Sequence, residues 1–359
     1  MKKLFYITLA VVAFASCTKS EASYTASEEI AFTPVSKFET KTAITGETYK
    51  ADLPFYVFAN AKNTTAFSSK YFEKILFEPD GTNKIGDLQI FKGNPPQYWP
   101  NVNNLIFAGF TKSGNVVDVL GAVESSDNLQ TLKIEGYVQP EPTVNVNPQP
   151  NDLMYFFDDN NGIGYGSSTT HVSPVMKHAC SWITINVKAD GNLATYWTDL
   201  KALNIHFVSL HKTGTVTLKS TVVPSWELTS DISNVNILSI SKNITSNFDE
   251  FANSDNNTIV LPQTPTFLSV TYSYTTPAGT QNFTETKKVP LNFNGETRGA
   301  GQTDDQWRAT WTKWEPGKHY TYDLTITAEE IKIAPSSAEW TDYDADGEAA
   351  EVQNPSQTI

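Results

Sequence analysis

Trp307, Trp311 and Trp314 recur four and three residues apart, with Arg308 and Lys313 between them. On a helical turn that spacing puts three indoles on one face. Such a face can stack on sugar rings, which makes these three the candidate ligand-facing aromatics. Large aromatics more often serve burial, and Trp314 leads into a strongly alternating stretch, so a place in the core is the reading adopted. His178 and Cys180 stand two apart, a spacing that puts both on one side of a strand together with Trp182. An imidazole and a thiolate can begin a zinc site, but zinc wants four ligands and His171 is the only other candidate nearby. A structural role is therefore expected, with no metal and no cofactor. Asp342, Asp344 and Asp346 followed by Gly347 match the first half of a calcium loop. The twelfth position is Gln353, where a bidentate Glu is needed, so a solvated acidic tail is expected instead. No Gly-x-Ser-x-Gly elbow, His-Glu-x-x-His pair or phosphate loop is present. Gly162, Gly164 and Gly166 lack the last glycine of a dinucleotide fingerprint. The reading is that of a chain that is not an enzyme.

The remaining chemistry lies at the start. Lys2 and Lys3 precede an apolar run over residues 4–15, which ends in Ala15-Ser16-Cys17. A basic start, a short apolar stretch and small residues before the cut make a secretory signal, too short to span a bilayer. A cysteine directly after the small residues resembles a lipobox. Cleavage is then expected between Ser16 and Cys17, with acylation of Cys17. Each buried CH2 of an acyl chain adds ~0.8 kcal/mol, so a multiply acylated cysteine holds a protein on a membrane. Residues 18–28 are small and polar and read as a tether. Losing Lys2 and Lys3 takes the net charge from −13 to −15.

That charge, from 26 basic and 39 acidic side chains, repels phosphate backbones and argues against a nucleic-acid partner. Two cysteines exclude a disulfide-dense scaffold. At 359 residues the chain has length for about two domains of ~150 residues each. With only 18% charged residues and 12% aromatics, it is not a disordered chain.

The elements that must position these residues read as strands. Apolar and polar residues alternate without a break over 320–327, as in a half-buried strand. Residues 268–274 alternate too; a turn at Pro277-Ala278-Gly279 and a β-rich run over 281–291 complete a hairpin. Residues 182–187 put Ile183, Ile185 and Val187 on one face. Residues 105–110 are apolar on both faces, as in a central strand. Helical spacing is confined to residues 69–76 and 193–203, and residues 136–166 read as a long loop. Turn chemistry at Asp190-Gly191-Asn192 sets the expected boundary between sandwiches over 30–189 and 190–350, after a signal at 1–16 and a tether at 17–29, with a polar tail at 351–359.

The order of these landmarks resembles the fimbrillin-like lipoproteins of Bacteroides-type bacteria, subunits of type V pili. The residues that carry the likeness are Ile30-Ala31-Phe32, Tyr98-Trp99-Pro100 before Leu105-Ile106-Phe107-Ala108, and Asn151-Asp152-Leu153-Met154. With them go His178 and the strand from Trp182, Thr213-Gly214, Leu261-Pro262-Gln263, and the stretch from Trp314-Glu315-Pro316-Gly317 to Tyr322. The resemblance implies an all-β fold of two tandem transthyretin-like sandwiches. It implies a structural subunit, stalk or tip, that reaches the outer membrane as a lipoprotein through Cys17 and supports adhesion and biofilm formation. It further implies that an arginine-specific protease removes the first strand and that a neighbouring subunit's strand fills the vacated groove. The departing segment here is residues 30 to about 41. Lys41 stands at the processing position, and the chain's arginines are Arg298 and Arg308 alone. A lysine there suits either a lysine-tolerant protease or a subunit that keeps its strand and lipid, as an anchor or a carbohydrate-binding adhesin that does not polymerise. Its partners would be other subunits, the membrane, and surface glycans or proteins.

Overall fold

The computed structural model describes residues 28–36, 53–63, 66–85, 88–100, 104–112, 123–125, 129–139, 153–157, 171–238, 241–251, 258–276, 281–292 and 297–339. The expectations for Ser16, Cys17, Lys41, the 162–166 glycines and the 342–346 acidic stretch lie outside them. Within them the chain is almost wholly β, as its alternation predicts.

The first half supplies β1 (Ala31–Phe32), β2 (Val35–Ser36), β3 (Phe55–Asn63), β4 (Ala66–Ile85), β5 (Leu88–Asn94) and β6 (Asn104–Thr111). It continues through β7 (Val123–Ser125), β8 (Thr131–Val138), β9 (Met154–Phe157), β10 (His171–Val172) and β11 (Val175–His178). Nine of these form one sheet in the order β10-β1-β5-β4-β3-β6-β9-β11-β2. Its two ends belong together. Residues 31–36 run beside 171–176 in one parallel register, with Ala31 opposite His171 and Val35 opposite Val175. Thr33 N–H donates to the Val172 carbonyl at 2.8 Å, and the Thr33 and Ser173 hydroxyls meet at 2.7 Å. The sheet therefore curls into a ring, and residues 30–36 close it between β5 and β10–β11.

The ring's interior holds Phe32, Phe55, Val57, Phe77, Phe91, Phe107 and Phe156. The outer faces of β3, β6 and β9 are buried as well, because Tyr56, Phe58, Ile106, Phe110 and Tyr155 pack on a second sheet. That sheet runs β15-β14-β8-β7, with β14 (Thr213–Lys219) and β15 (Ser225–Leu228). Hence β6 is apolar on both faces, as its sequence predicts. Gly109 is required there: a Cβ would lie 2.5 Å from both the Phe156 ring and the Tyr56 carbonyl.

A second sandwich packs β12 (Ser181–Ala189), β18 (Asp249–Glu250), β19 (Thr258–Val260), β22 (Lys318–Ile326) and β23 (Ile331–Glu339) on another sheet. The facing sheet is β13 (Thr198–His211), β16 (Ile232–Leu238), β17 (Lys242–Asn243), β20 (Phe267–Thr275) and β21 (Asn282–Pro290). Ile183, Ile185 and Val187 meet Tyr320, Tyr322 and Leu324 on one side and Ile205, Phe207, Val270 and Tyr272 on the other. The β20–β21 hairpin pairs as its sequence predicts, from Phe267 opposite Pro290 to Thr275 opposite Asn282.

Strand pairing runs across the expected 189/190 boundary in both directions. β12 lies parallel to β22 over eight residue pairs, and β14 reaches back to pair with β8. Alternation marks a strand as half-buried but does not say which sheet it joins.

Both stretches with helical spacing are largely strand. Residues 69–76 fall in β4, whose pairing with β3 slips three times and which holds Lys74 at φ 52°. Beyond a single turn, α1 (Leu193–Tyr196), the 193–203 stretch is β13, with pairing slips after Thr198 and Ala202 and with Asp199 at φ 54°. A bulge inserts an extra residue, and the broken alternation then imitates a longer period. The expected loop over 136–166 contains the end of β8 and all of β9, which pairs between β6 and β11.

Candidate functional site

The segment that closes the ring has a strand's two handles, backbone and alternate side chains. Ile30 and Phe32 are fully buried. Phe32 meets Phe77 at 4.8 Å and Phe107 at 5.3 Å edge-on, with Phe55 at 5.8 Å. Aromatic edge-to-face contacts of this kind add ~0.5–1.5 kcal/mol each beyond the area they bury. On the backbone, Ile30 N–H donates to the Gln97 carbonyl at 2.7 Å and Trp99 N–H to the Glu28 carbonyl at 3.0 Å. Lys92 bridges Glu29 at 3.3 Å and Asp80 at 3.2 Å on the exposed rim. Without residues 28–36, the ring would have two open edges, on β5 and on β10–β11, flanking a slot lined with phenylalanine. Unpaired edges of that kind accept another strand.

At the other end of the chain, β23 lies antiparallel to β22 from Ile331 opposite Ile326 to Glu339 opposite Lys318. Ile333 is buried in the second core and Ile331 packs against it. Among the described residues β23 pairs with β22 alone within its sheet, which makes it an edge strand there.

The three tryptophans do not form one outward face. α2 (Asp304–Arg308) holds Trp307 only, and its start is a capping box in which Gln306 N–H donates to Thr303 Oγ1 at 3.2 Å and Thr303 N–H to Gln306 Oε1 at 2.9 Å. Trp307 packs edge-on against Trp311 at 5.1 Å, and Trp311, 4% exposed, meets Phe267. Trp314 is buried in the second core, where its N–H donates to Tyr322 Oη at 2.7 Å. Burial pushes the Tyr322 phenol far above its usual range, so it stays a neutral hydroxyl. Burial, the core reading of the sequence, leaves Trp311 and Trp314 no face for a ligand.

His178 and Cys180 are not neighbours on one strand. β11 ends at His178, the chain bends, and β12 begins at Ser181. Cys180 turns into the first core, with its Sγ 3.8 Å from Gln139 Oε1. No group of three or more His, Cys, Asp or Glu that could hold a metal occurs among the described residues. The register of β12 on β22 brings together a pair that sequence inspection missed: His319 stacks flat on Trp182 at 3.7 Å and shares a 2.9 Å hydrogen bond with Thr184. Also missed was the helix start, although Thr303-x-x-Gln306 is a legible capping signal.

The family model for fimbrillin-like proteins matches residues 40–340. Among solved structures, a fimbrial protein from Bacteroides vulgatus superposes with a TM-score of 0.52 at 16% identity, covering 87% of this chain and 99% of that one. A fimbrial assembly protein from Parabacteroides distasonis gives 0.41 at 12% identity, over 87% and 96% of the two chains. The tip fimbrial protein Mfa3 from Porphyromonas gingivalis gives 0.39 at 10%, over 88% and 100%. No curated protein matches.

Proposed function

Because the chain belongs to the fimbrillin-like family, we propose that it is a structural subunit of a cell-surface fimbrium that travels as a lipoprotein on Cys17 and assembles by strand exchange. Family membership points to the fimbrium as its place and to other fimbrial subunits as its partners. The observation that carries the finer reading is the seating of residues 28–36. A segment that fills a phenylalanine-lined slot, and is hydrogen-bonded along both edges, is replaceable by a strand of the same alternation from a neighbour. Processing near Lys41 would vacate that slot, and β23, with Ile331 and Ile333 on its buried side, has the alternation a donor needs.

One observation favours a second reading. With no arginine before Arg298, the subunit escapes an arginine-specific protease, keeps its first strand and its lipid, and serves as an anchor. Sequencing the N-terminus of protein taken from cells separates the two. A start just after Lys41 supports strand exchange, and an acylated Cys17 start supports the anchor. In the same test, a chain lacking residues 17–41 should oligomerise or take up a peptide of residues 28–41. If light scattering shows both forms equally monomeric and the peptide stays free, strand exchange at this slot is wrong.

A further inference from the structure

A cavity of about 310 Å³ opens where β15 of the first sandwich faces α2 and the segment between β19 and β20. That volume is at the lower end of the ~300–1,000 Å³ range of small-ligand sites. Its apolar wall is Trp226 with Leu228 and Pro262. Trp226 spends its N–H on the Ala179 carbonyl at 2.8 Å and meets Tyr137 edge-on at 5.4 Å. The indole is thus held in place and has only ring carbon surface to offer the cavity.

The opposite wall is cationic in a chain whose net charge is −13. Arg308 is anchored through Nε to the Pro265 carbonyl at 3.2 Å, and its Nη1 lies 3.7 Å from Asp305, whose side chain is 92% exposed. So loose and wet a pair leaves most of the guanidinium's hydrogen-bonding capacity unspent. Lys313 also lines the cavity and forms no ion pair among the described residues. Between the walls, Gln263 is locked by His211, accepting from its N–H at 3.0 Å and donating to its carbonyl at 3.1 Å. The Nδ1 of His211 faces the Thr229 carbonyl at 2.6 Å and so must donate, which leaves Nε2 for a ligand hydroxyl.

We propose that this cavity binds a carboxylate-bearing sugar unit, with the ring against Trp226, the carboxylate on Arg308 and Lys313, and hydroxyls on His211 and Asp305. A bare anion would make no use of the indole, Leu228 and Pro262, and a neutral sugar would make none of the two cations. The site draws on no part of the 28–36 slot, so it stands or falls separately from strand exchange.

The test titrates the full mature chain with D-glucuronate, N-acetylneuraminate, D-glucose and acetate, followed by saturation-transfer NMR. Saturable binding of at least one sugar acid is expected, with glucose weaker by roughly tenfold or more for want of a charged hydrogen bond and acetate weaker by a similar factor for want of a ring to cover the indole. Lys313→Gln, on an exposed side chain, and Arg308→Lys should each weaken the sugar acid by a similar factor, whereas Lys84→Gln on β4 should not. Acetate binding as well as glucuronate would make this a simple anion site and overturn the proposal. So would glucose matching glucuronate, no binding of either sugar acid, or unchanged binding in both variants. Tighter binding of an acidic peptide of residues 342–351 than of either sugar acid would also overturn it, in favour of a protein segment.

Discussion

His319 shows what one buried ring contributes. Desolvation beneath Trp182 brings its pKa down to about 4, below an unfolded value of 6.5, and among the described residues no carboxylate offsets that burial. Between those two values the folded chain binds fewer protons than the unfolded one, so stability rises with pH through the window and is lost as pH falls from about 6.5 towards 4. His171 and His206 are lowered by burial too, and Asp80, Glu285 and Asp304 are lowered first of all by hydrogen bonds, so all act with the same sign. The part due to His319 should be on the order of 2–3 kcal/mol. Urea unfolding of wild type and His319→Gln at pH 7 and pH 4.5 isolates it, with the variant losing less. Parallel losses in the two proteins would assign the acid sensitivity elsewhere.

Among the elements, β23 is the one whose role turns on side-chain pattern. Its nine pairs to β22 and the burial of Ile333 hold it on its own chain. Pro335, which has no N–H to donate, sits in a strand of the kind found at sheet edges. Further along, Asp342, Asp344, Asp346, Glu348 and Glu351 cannot enter an apolar slot, because burying one unpaired carboxylate is costly. Under the proposed strand exchange, any donor segment is therefore confined to about residues 331–343. Single cysteines placed along 331–355 should crosslink to a cysteine in the slot of a second, first-strand-deleted copy only from within 331–343. Crosslinks confined to 346–355 would overturn that limit, and none at all would remove β23 as a donor.

For the whole molecule, export decides whether any of this reaches the cell surface. Ala15-Ser16-Cys17 predicts that Cys17→Ala leaves the precursor uncut and blocks display. Labelled palmitate entering the Cys17→Ala protein as it enters wild type would refute this. At this scale the two halves are also interlocked, since the β14–β15 hairpin completes the sheet that covers Tyr56, Phe58 and Phe110. The cavity walled by Trp226 and Arg308 exists because that hairpin returns to the first half.

The sequence alone determined the β class, the β20–β21 hairpin, the double-sided burial of β6 and the alternation of β12 and β22. Each follows from a period of two or from local turn chemistry, which neighbouring residues specify by themselves. It also carried the family likeness. Only the tertiary structure decided which strands share a sheet, because alternation records burial and not partners. It decided that β4 and β13 are bulged strands, since the bulges that disguise them are set by β3 and β20 across the sheet. Likewise it brought Phe32 into a ring of phenylalanines, His319 onto Trp182 and Lys313 to a cavity shared with Trp226, pairs separated by tens to more than a hundred residues, which only long-range register joins.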